Sequence, residues 1–293
     1  MNDDTTPWRR LLDDAAQRLA EAGIDTAPVD ARRIVEEAAG LEPAEFHAGL
    51  SVPATQRGVA RLDRMLARRL EGEPLQYVVG RWGFRSLDLA VDARALVPRP
   101  ETEVVAGLAI AEVASRADRL EREVVVVDLG TGTGAIALSI AVECPRARVI
   151  ATDRSADALA LARANLAGIG RAATRVSLHE GSWFDAVPDA VAGAVDVIVA
   201  NPPYVADDEE LPEVVEQWEP ASALRAGPSG TEDLEAIVAD ASRWLTPDGS
   251  VVLERAPHQT AAIAERLVAL GFDAFVHADL AGRDRAVVGR RRS

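Results

Sequence analysis

The stretch VVVVDLGTGTGAIALSI, residues 124–140, joins a β-branched strand to an apolar helix through a glycine-rich turn. Strand-forming residues before such a turn and helix-forming residues after it predict a strand–turn–helix unit. The three glycines Gly130, Gly132 and Gly134 tolerate positive φ and let the backbone approach a ligand without a Cβ in the way. The stretch therefore predicts the first strand and helix of a doubly wound α/β domain with a ligand at this turn.

The chain beyond residue 123 continues this alternation of strands and helices. Strands are predicted at 123–129, 148–152, 175–179, 195–200 and 250–254, and helices at 135–142, 156–166, 234–245 and 260–270. Two last strands, 272–277 and 285–290, have no helix between them, so we expect a hairpin whose final strand runs antiparallel. Short apolar strands with intervening helices indicate an α/β fold with a mostly parallel sheet.

The first part of the chain has a different pattern. Residues 1–73 contain only amphipathic helical stretches, at 7–22, 29–39 and 59–70. Apolar residues then alternate over 76–91, interrupted by Gly80 and Gly83, which predicts a β-hairpin. We expect three parts: a helical domain over 1–73, a linking hairpin over 74–97 and the α/β domain over 98–293.

The amino-acid composition of the chain argues against several classes of function. The chain has 32 basic residues, all arginine, against 47 acidic ones, and its net charge of −15 opposes binding to a phosphate backbone. The single cysteine, Cys144, excludes an internal disulfide and suits a reducing cytosol. The four histidines lack metal-ligand spacing, and no apolar stretch reaches the ~20 residues of a membrane span. We expect a cytoplasmic monomer that holds no metal and binds neither a membrane nor, stably, a nucleic acid.

A second motif, Asn201-Pro202-Pro203-Tyr204, directly follows the apolar strand at 195–200. It places one amide, two backbone carbonyls and one aromatic face at the mouth of a sheet, on a turn that the prolines stiffen. Methyltransferases that act on a planar nitrogen need that set of groups. The structural alternative is an ordinary proline turn, for which Asn and Pro are common residues.

The two motifs together indicate which cofactor the protein binds. Asp153 ends the second strand of the α/β unit, where a carboxylate can bind both hydroxyls of a ribose. With the glycine turn alone, an NAD-dependent dehydrogenase or a tight packing turn fits equally well. The Asn201 turn argues against hydride transfer and favours S-adenosylmethionine. We expect the cofactor to be held by Gly130, Thr131, Gly132, Thr133, Gly134 and Asp153 and to contact Asn201, at which its methyl group is directed.

Together these residues resemble the HemK/PrmC family, bacterial methyltransferases that act on a glutamine side-chain nitrogen of peptide-chain release factors. Three further segments are similar to family motifs: PLQYVVG at 74–80, VPRPETE at 97–103 and DLAGRDR at 279–285. Related enzymes that methylate a ribosomal-protein glutamine differ after the Pro-Arg, so residues 100–103 favour the release-factor branch. The resemblance implies a Rossmann-like class I methyltransferase sheet, mostly parallel with an antiparallel last strand. It also implies a small N-terminal all-helical domain for substrate recognition, with a linking β-hairpin.

The resemblance also implies a role for each residue of the second motif. The Asn201 side-chain oxygen and the Pro202 carbonyl would accept the two amide protons of a substrate glutamine, while Tyr204 packs against the planar amide. Pro203 would contact the substrate and keep the turn stiff. These contacts would orient the nitrogen toward the methyl group and favour the charge that develops on it.

The resemblance assigns Trp183 to stacking on the adenine; an ordinary partly buried core tryptophan is the alternative. Two departures stand near these residues. Ser182 occupies a position where the family usually has an aspartate for the adenine amino group. The loop at 255–258 lacks the small residue and glycine that usually follow Glu254.

The resulting hypothesis is methyl transfer to the glutamine of the Gly-Gly-Gln motif in class I release factors, in support of translation termination. Three alternatives remain: an adenine-N6 nucleic-acid methyltransferase, a ribosomal-protein glutamine methyltransferase, and a catalytically silent module that retains the fold. The net charge and residues 100–103 argue against the nucleic-acid substrate. Only Ser182 and the altered loop support the silent module.

Overall fold

The computed structural model describes residues 6–42 and 44–292. The chain folds into two compact units, Met1–Arg81 and Trp82–Ser293. Within the described ranges, no helix is both long enough and apolar enough to cross a membrane. The same residues contain no group of three or more His, Cys, Asp or Glu side chains arranged to hold a metal ion.

The smaller unit is helical. Its helices are α1 (Trp8–Glu21), α2 (Ala27–Ala39), α3 (Phe46–Gly49), α4 (Gln56–Leu70) and α5 (Leu75–Val79). α2 ends at Gly40, whose φ of 67° is the left-handed conformation that favours glycine. α4 begins after Thr55, whose hydroxyl accepts a hydrogen bond from the Gly58 amide at 3.0 Å. The predicted helices at 7–22, 29–39 and 59–70 are confirmed, with ends that differ by at most three residues.

The prediction of strand structure at 76–79 is wrong, because these residues belong to α5. Tyr77 and Val78 are both buried although they are neighbours, whereas a strand would direct them to opposite faces. Pro74 precedes the helix and Gly80, with φ of 79°, ends it. The hairpin is therefore shorter than predicted and consists of β1 (Arg81–Phe84) and β2 (Leu87–Ala90).

The larger unit contains a seven-stranded sheet. Its strands are β3 (Val124–Leu129), β4 (Ala147–Asp153), β5 (Val176–Glu180), β6 (Val195–Ala200), β7 (Leu245–Glu254), β8 (Phe272–Ala278) and β9 (Asp284–Arg291). Their order across the sheet is β5-β4-β3-β6-β7-β9-β8. The first five strands in this order, from β5 through β4, β3 and β6 to β7, pair in parallel. β9 runs antiparallel to both of its neighbours, β7 and β8. The predicted α/β sheet with an antiparallel last strand is confirmed.

Helices α6 to α11 accompany this sheet: α6 (Pro100–Ala117), α7 (Ala135–Glu143), α8 (Ala156–Gly168), α9 (Glu213–Trp218), α10 (Glu232–Trp244) and α11 (Thr260–Ala269). Every residue of the central strand β6 is buried, as expected for a parallel strand covered on both faces. On one face β6 and β7 pack with α10 and α11 through a core that includes Ile198, Leu253, Ile237 and Leu267. This core fixes the carboxyl ends of the central strands, where the site lies.

Candidate active site

A cleft of about 960 Å³ of empty space, part of it open to solvent, lies at the carboxyl ends of β3, β4 and β6. Ligands of doubly wound sheets bind at this edge of the sheet. Most of the predicted site residues line it: Gly130, Thr131, Gly132, Thr133, Asp153, Trp183, Asn201 and Pro203. The remaining three, Gly134, Pro202 and Tyr204, lie on the same two turns but do not line the cleft.

The glycine turn is held by backbone hydrogen bonds. The amides of Gly130 and Thr131 both donate to the Thr152 carbonyl of β4, each at 2.9 Å. Gly130 and Gly132 have φ of 74° and 55°, in the left-handed region. A Cβ on Gly130 would lie 3.1 Å from Cζ3 of Trp183, so the positive φ favours glycine there and the indole leaves little room for a side chain.

Asp153 is oriented by the same turn. Its Oδ2 accepts a hydrogen bond from the Gly132 amide, and its Oδ1 accepts one from the Ser155 amide, both at 2.9 Å. Each carboxylate oxygen has a second lone pair available for another donor. The carboxylate is therefore fixed at the cleft wall with acceptor capacity left for a ligand's hydroxyl groups.

A buried carboxyl group lies under the turn. Oδ2 of Asp128 accepts from the Thr131 hydroxyl at 2.6 Å and from the Ala137 amide at 3.2 Å. Burial raises the pKa of Asp128 to about 7, against the lowering effect of these hydrogen bonds. Asp128 thus joins the turn to the start of α7, a structural role that the sequence analysis did not assign.

Trp183 has an unusual backbone conformation, with φ of 44°. A bulky residue in this region costs on the order of 1–3 kcal/mol, which its surroundings must offset. Its indole Nε1 donates to Asp233 at 3.3 Å, and its carbonyl accepts from the Thr152 hydroxyl at 3.3 Å. These contacts hold the indole against Gly130 at the cleft wall, and Ser182 lines the cleft beside it.

Asn201 stands at the end of β6, where Ala200 pairs with Leu129 of β3 and Leu253 of β7. Its Nδ2 donates to Oγ1 of Thr102 at 3.3 Å. The two prolines that follow are buried. The backbone of this turn is anchored further along, because Gln259 donates from Nε2 to the Tyr204 carbonyl at 3.1 Å.

Two acidic side chains near this turn are buried. Glu254 ends β7 and is 1 % exposed. Burial raises its pKa to about 7, although a hydrogen bond from Thr102 and the charge of Arg285 lower it. Glu219 binds Nη2 of the cleft residue Arg99 through both of its oxygens, at 2.6 and 2.8 Å, and burial raises its pKa.

Sequence reasoning missed Thr102 and Glu254 as site residues. The sequence contained a signal for Glu254, because Glu254 is the polar residue that ends an apolar strand, at the same edge of the sheet where Asn201 directly follows β6. Thr102 lies in the family-like segment at 97–103, but its contact with Asn201 could not be predicted, since the two residues are 99 positions apart in the chain. In the altered 255–258 loop, Arg255 is fully buried while His258 is exposed.

Gly130→Ala is expected to weaken cofactor binding about tenfold, because the new Cβ meets Trp183 and the φ of 74° becomes strained. Isothermal titration with S-adenosylmethionine measures the effect. The matched control is Gly168→Ala at the end of α8, where a Cβ has nothing within 4 Å and no positive φ is required. Equal affinities of the two variants would contradict the role given to the Gly130 turn.

A doubly wound sheet with a glycine-rich first turn, a carboxylate ending the second strand and an amide following a later one matches the class I methyltransferase fold that the sequence predicted. The model of the PrmC N-terminal domain matches residues 10–80, and that of the methyltransferase small domain matches residues 113–231. A methyltransferase of Pyrococcus furiosus has a similar fold: the TM-score is 0.51 at 19% identity, covering 79% of this chain and 100% of that one.

Relatives named release factor glutamine methyltransferase match nearly the whole chain. That of Cereibacter sphaeroides is 40% identical over 279 residues, which is 94% of this chain and 95% of the relative. That of Deinococcus radiodurans is 38% identical over 286 residues, or 97% and 98%. The chain therefore belongs to the release factor glutamine methyltransferase family and is an enzyme that takes a methyl group from a donor.

Proposed function

We propose that the protein transfers a methyl group from S-adenosylmethionine to the side-chain nitrogen (N5) of the glutamine in the Gly-Gly-Gln motif of class I release factors, which supports translation termination. The observation that carries the proposal is that the Asn201 amide opens onto the same cleft as the glycine turn and Asp153. The names of the relatives support the choice of protein substrate.

The residues of the cleft fit S-adenosylmethionine. The free lone pairs of the Asp153 carboxylate suit the two ribose hydroxyls, since its other contacts already fix its orientation. Trp183 presents an indole beside Gly130 for stacking on the adenine. Gly130 and Gly132 both line the cleft at the turn itself, and a Cβ on Gly132 would have no atom closer than 4.0 Å. When bound, the cofactor supplies an electrophilic methyl group on a sulfonium.

The protein's part in the reaction is to orient a poor nucleophile. An amide nitrogen has its lone pair delocalised into the carbonyl, so its geometry must be fixed before it can attack. Oδ1 of Asn201 and the carbonyl of Pro202 accept the two amide protons, and Tyr204 packs its ring against the amide plane. Pro203 lines the cleft and holds the turn stiff.

These contacts act most strongly in the transition state. As the nitrogen forms its new bond to carbon, its two protons become more positive, and the two acceptor oxygens stabilise them. Fixing the nitrogen in line with the bond that breaks supplies part of the roughly 7–11 kcal/mol available from orientation. The methylated amide then releases one proton to water, so a strong general base is not required.

Transfer of tritium from [methyl-³H]S-adenosylmethionine tests the substrate class. The acceptors are a purified class I release factor, the same factor with its Gly-Gly-Gln glutamine changed to alanine, a ribosomal-protein fraction, and DNA or RNA. We expect label only in the unaltered release factor. Label in nucleic acid or in ribosomal protein would replace the proposed substrate. Cofactor binding without any transfer would favour the silent module.

A further inference from the structure

One buried side chain holds the backbone at Tyr204. Gln259, which directly precedes α11 and is 6% exposed, donates from Nε2 to the carbonyl groups of Tyr204 and Gly230, each at 3.1 Å. Tyr204 belongs to the turn after β6, and Gly230 lies two residues before α10. A single amide group therefore joins three segments: the turn after β6, the segment before α10 and the loop after β7.

The partners of Gln259 determine the direction of its amide. A carbonyl oxygen only accepts hydrogen bonds, so the NH₂ group must face both carbonyls, and both of its protons are used. Oε1 of Gln259 is buried and has no hydrogen-bond partner among the described residues. An unpaired buried acceptor costs stability, and this cost indicates that joining the two carbonyls has a use beyond packing.

The backbone of Gly230 lies close to the same carbonyl. Gly230 has φ of 72°, and a Cβ on it would lie 2.8 Å from the Tyr204 carbonyl oxygen and 2.9 Å from the Ala206 amide nitrogen. Cβ atoms do not come this close to backbone atoms, so a side chain at residue 230 would displace the chain at 204–206. The Tyr204 carbonyl is therefore confined by the Gln259 amide and by the backbone of Gly230.

The turn after β6 depends on such contacts because of its two prolines. They have no amide proton to donate, so neither can anchor the turn through a backbone N–H. Beyond Tyr204 the chain is paired again, since both the amide and the carbonyl of Val205 are hydrogen-bonded to the segment 224–226, each at 3.0 Å. The hydrogen bond from Gln259 thus acts where the proline turn meets this paired segment.

We propose that Gln259 is a positioning residue: by holding the Tyr204 carbonyl beside Gly230, it fixes the turn so that the Pro202 carbonyl and the Tyr204 ring meet the substrate amide. Gln259 does not line the cleft, so it acts through Tyr204. Displacing a positioning group by about 1 Å can lower a rate by as much as about 100-fold. Because the turn carries the substrate contacts only in the proposed function, the role of Gln259 rests on that function.

Two variants disturb the Tyr204 carbonyl in different ways. Gln259→Met keeps the length of the side chain but removes both donors, and Gly230→Ala places a Cβ against the carbonyl. Each should lower kcat on a release factor about tenfold, with KM for S-adenosylmethionine within about twofold of wild type. Because both act on one carbonyl, the loss in the double variant should be smaller than the product of the two single losses.

Gly193→Ala is the matched control. Gly193 has φ of 73°, close to the 72° of Gly230, but a Cβ there would have nothing within 4 Å. It precedes β6, at the other end of the strand from Asn201. The two alanine variants share the strain of a positive φ, so the difference between them measures the contact with Tyr204. Gly193→Ala should keep kcat within about twofold of wild type.

A second readout needs no turnover. The chain has two tyrosines, Tyr77 and Tyr204, so labelling tyrosine with ¹³C at the carbonyl carbon gives two signals, and Tyr77→Phe identifies the one from Tyr204. A carbonyl that loses a hydrogen bond changes its ¹³C chemical shift. We expect the Tyr204 signal to move in Gln259→Met and in Gly230→Ala and to stay in place in Gly193→Ala. The Tyr77 signal is the internal reference, because Tyr77 belongs to the other compact unit.

The two readouts separate the possible failures. Active wild type whose kcat survives in Gln259→Met, although the Tyr204 signal has moved, would overturn the positioning role. Equal losses of kcat in Gly230→Ala and Gly193→Ala would also overturn it, because backbone strain alone would then account for them. Wild type that transfers no methyl group to the release factor would overturn the proposed function. The Tyr204 signal of Gln259→Met then decides the rest: a moved signal would support the hold on this carbonyl, and an unmoved one would overturn it.

Discussion

Asn201→Ala is expected to lower kcat about 10²–10³-fold, the loss typical of removing one preorganised group that stabilises transition-state charge. The affinity for S-adenosylmethionine should stay within about twofold of wild type, because the turn proposed to hold the cofactor is fixed by Thr152 and Asp153 rather than by Asn201. Single-turnover kinetics on a release factor and titration calorimetry with the cofactor measure the two quantities separately.

The control for this prediction is the fold of the variant. Asn201 makes one side-chain hydrogen bond in the described structure, to Thr102, so its removal should change the melting temperature only slightly. A variant that retained full turnover would remove Asn201 from the mechanism. A variant that lost cofactor affinity and turnover together would show instead that Asn201 organises the cofactor side of the cleft.

Arg255→Met is expected to raise the free energy of unfolding by about 1–4 kcal/mol, the range seen when buried ion pairs are replaced by apolar side chains of similar volume. Arg255 is fully buried, and none of its three guanidinium nitrogens has a partner in the described part of the chain. Desolvation lowers the pKa of this guanidinium to about 10, which shows that its surroundings disfavour the charge. Denaturant unfolding of wild type and variant measures the difference.

Two further variants make this result interpretable. Arg266→Met removes an exposed arginine from α11 and should change stability by less than about 0.5 kcal/mol. Arg255→Ala removes the charge but leaves a cavity, so it should be less stable than Arg255→Met. A loss of stability in Arg255→Met would mean that the buried guanidinium is stabilised by its surroundings.

The arrangement of the sheet could be predicted from the sequence because β3, β6 and the second half of β7 are short, mostly apolar runs bounded by polar residues or glycine. β6 was predicted with its observed ends, since all six of its residues are apolar or buried in the sheet. β7 begins at Leu245, five residues earlier than expected, because its first part contains Pro247 and Gly249, which are unfavourable in strands. α5 was missed because four residues of alternation do not distinguish a strand from a single helical turn.

The site was predictable only where the position of a residue in the fold determines its role. Asp153 and Asn201 follow parallel strands, so the topology alone places both at one edge of the sheet. The contact between Asn201 and Thr102 depends on how α6 packs near the end of β6, which no local pattern records. The burial of Arg255 was equally inaccessible, because arginine is almost never fully buried without a partner.

The most direct test of the central claim is tandem mass spectrometry of a class I release factor after incubation with this protein and S-adenosylmethionine carrying a deuterated methyl group. The predicted result is one labelled methyl group on the glutamine of the Gly-Gly-Gln peptide, present with wild type and strongly reduced with Asn201→Ala. An unmodified Gly-Gly-Gln peptide from active, cofactor-binding protein, or a label on another residue, would contradict the account.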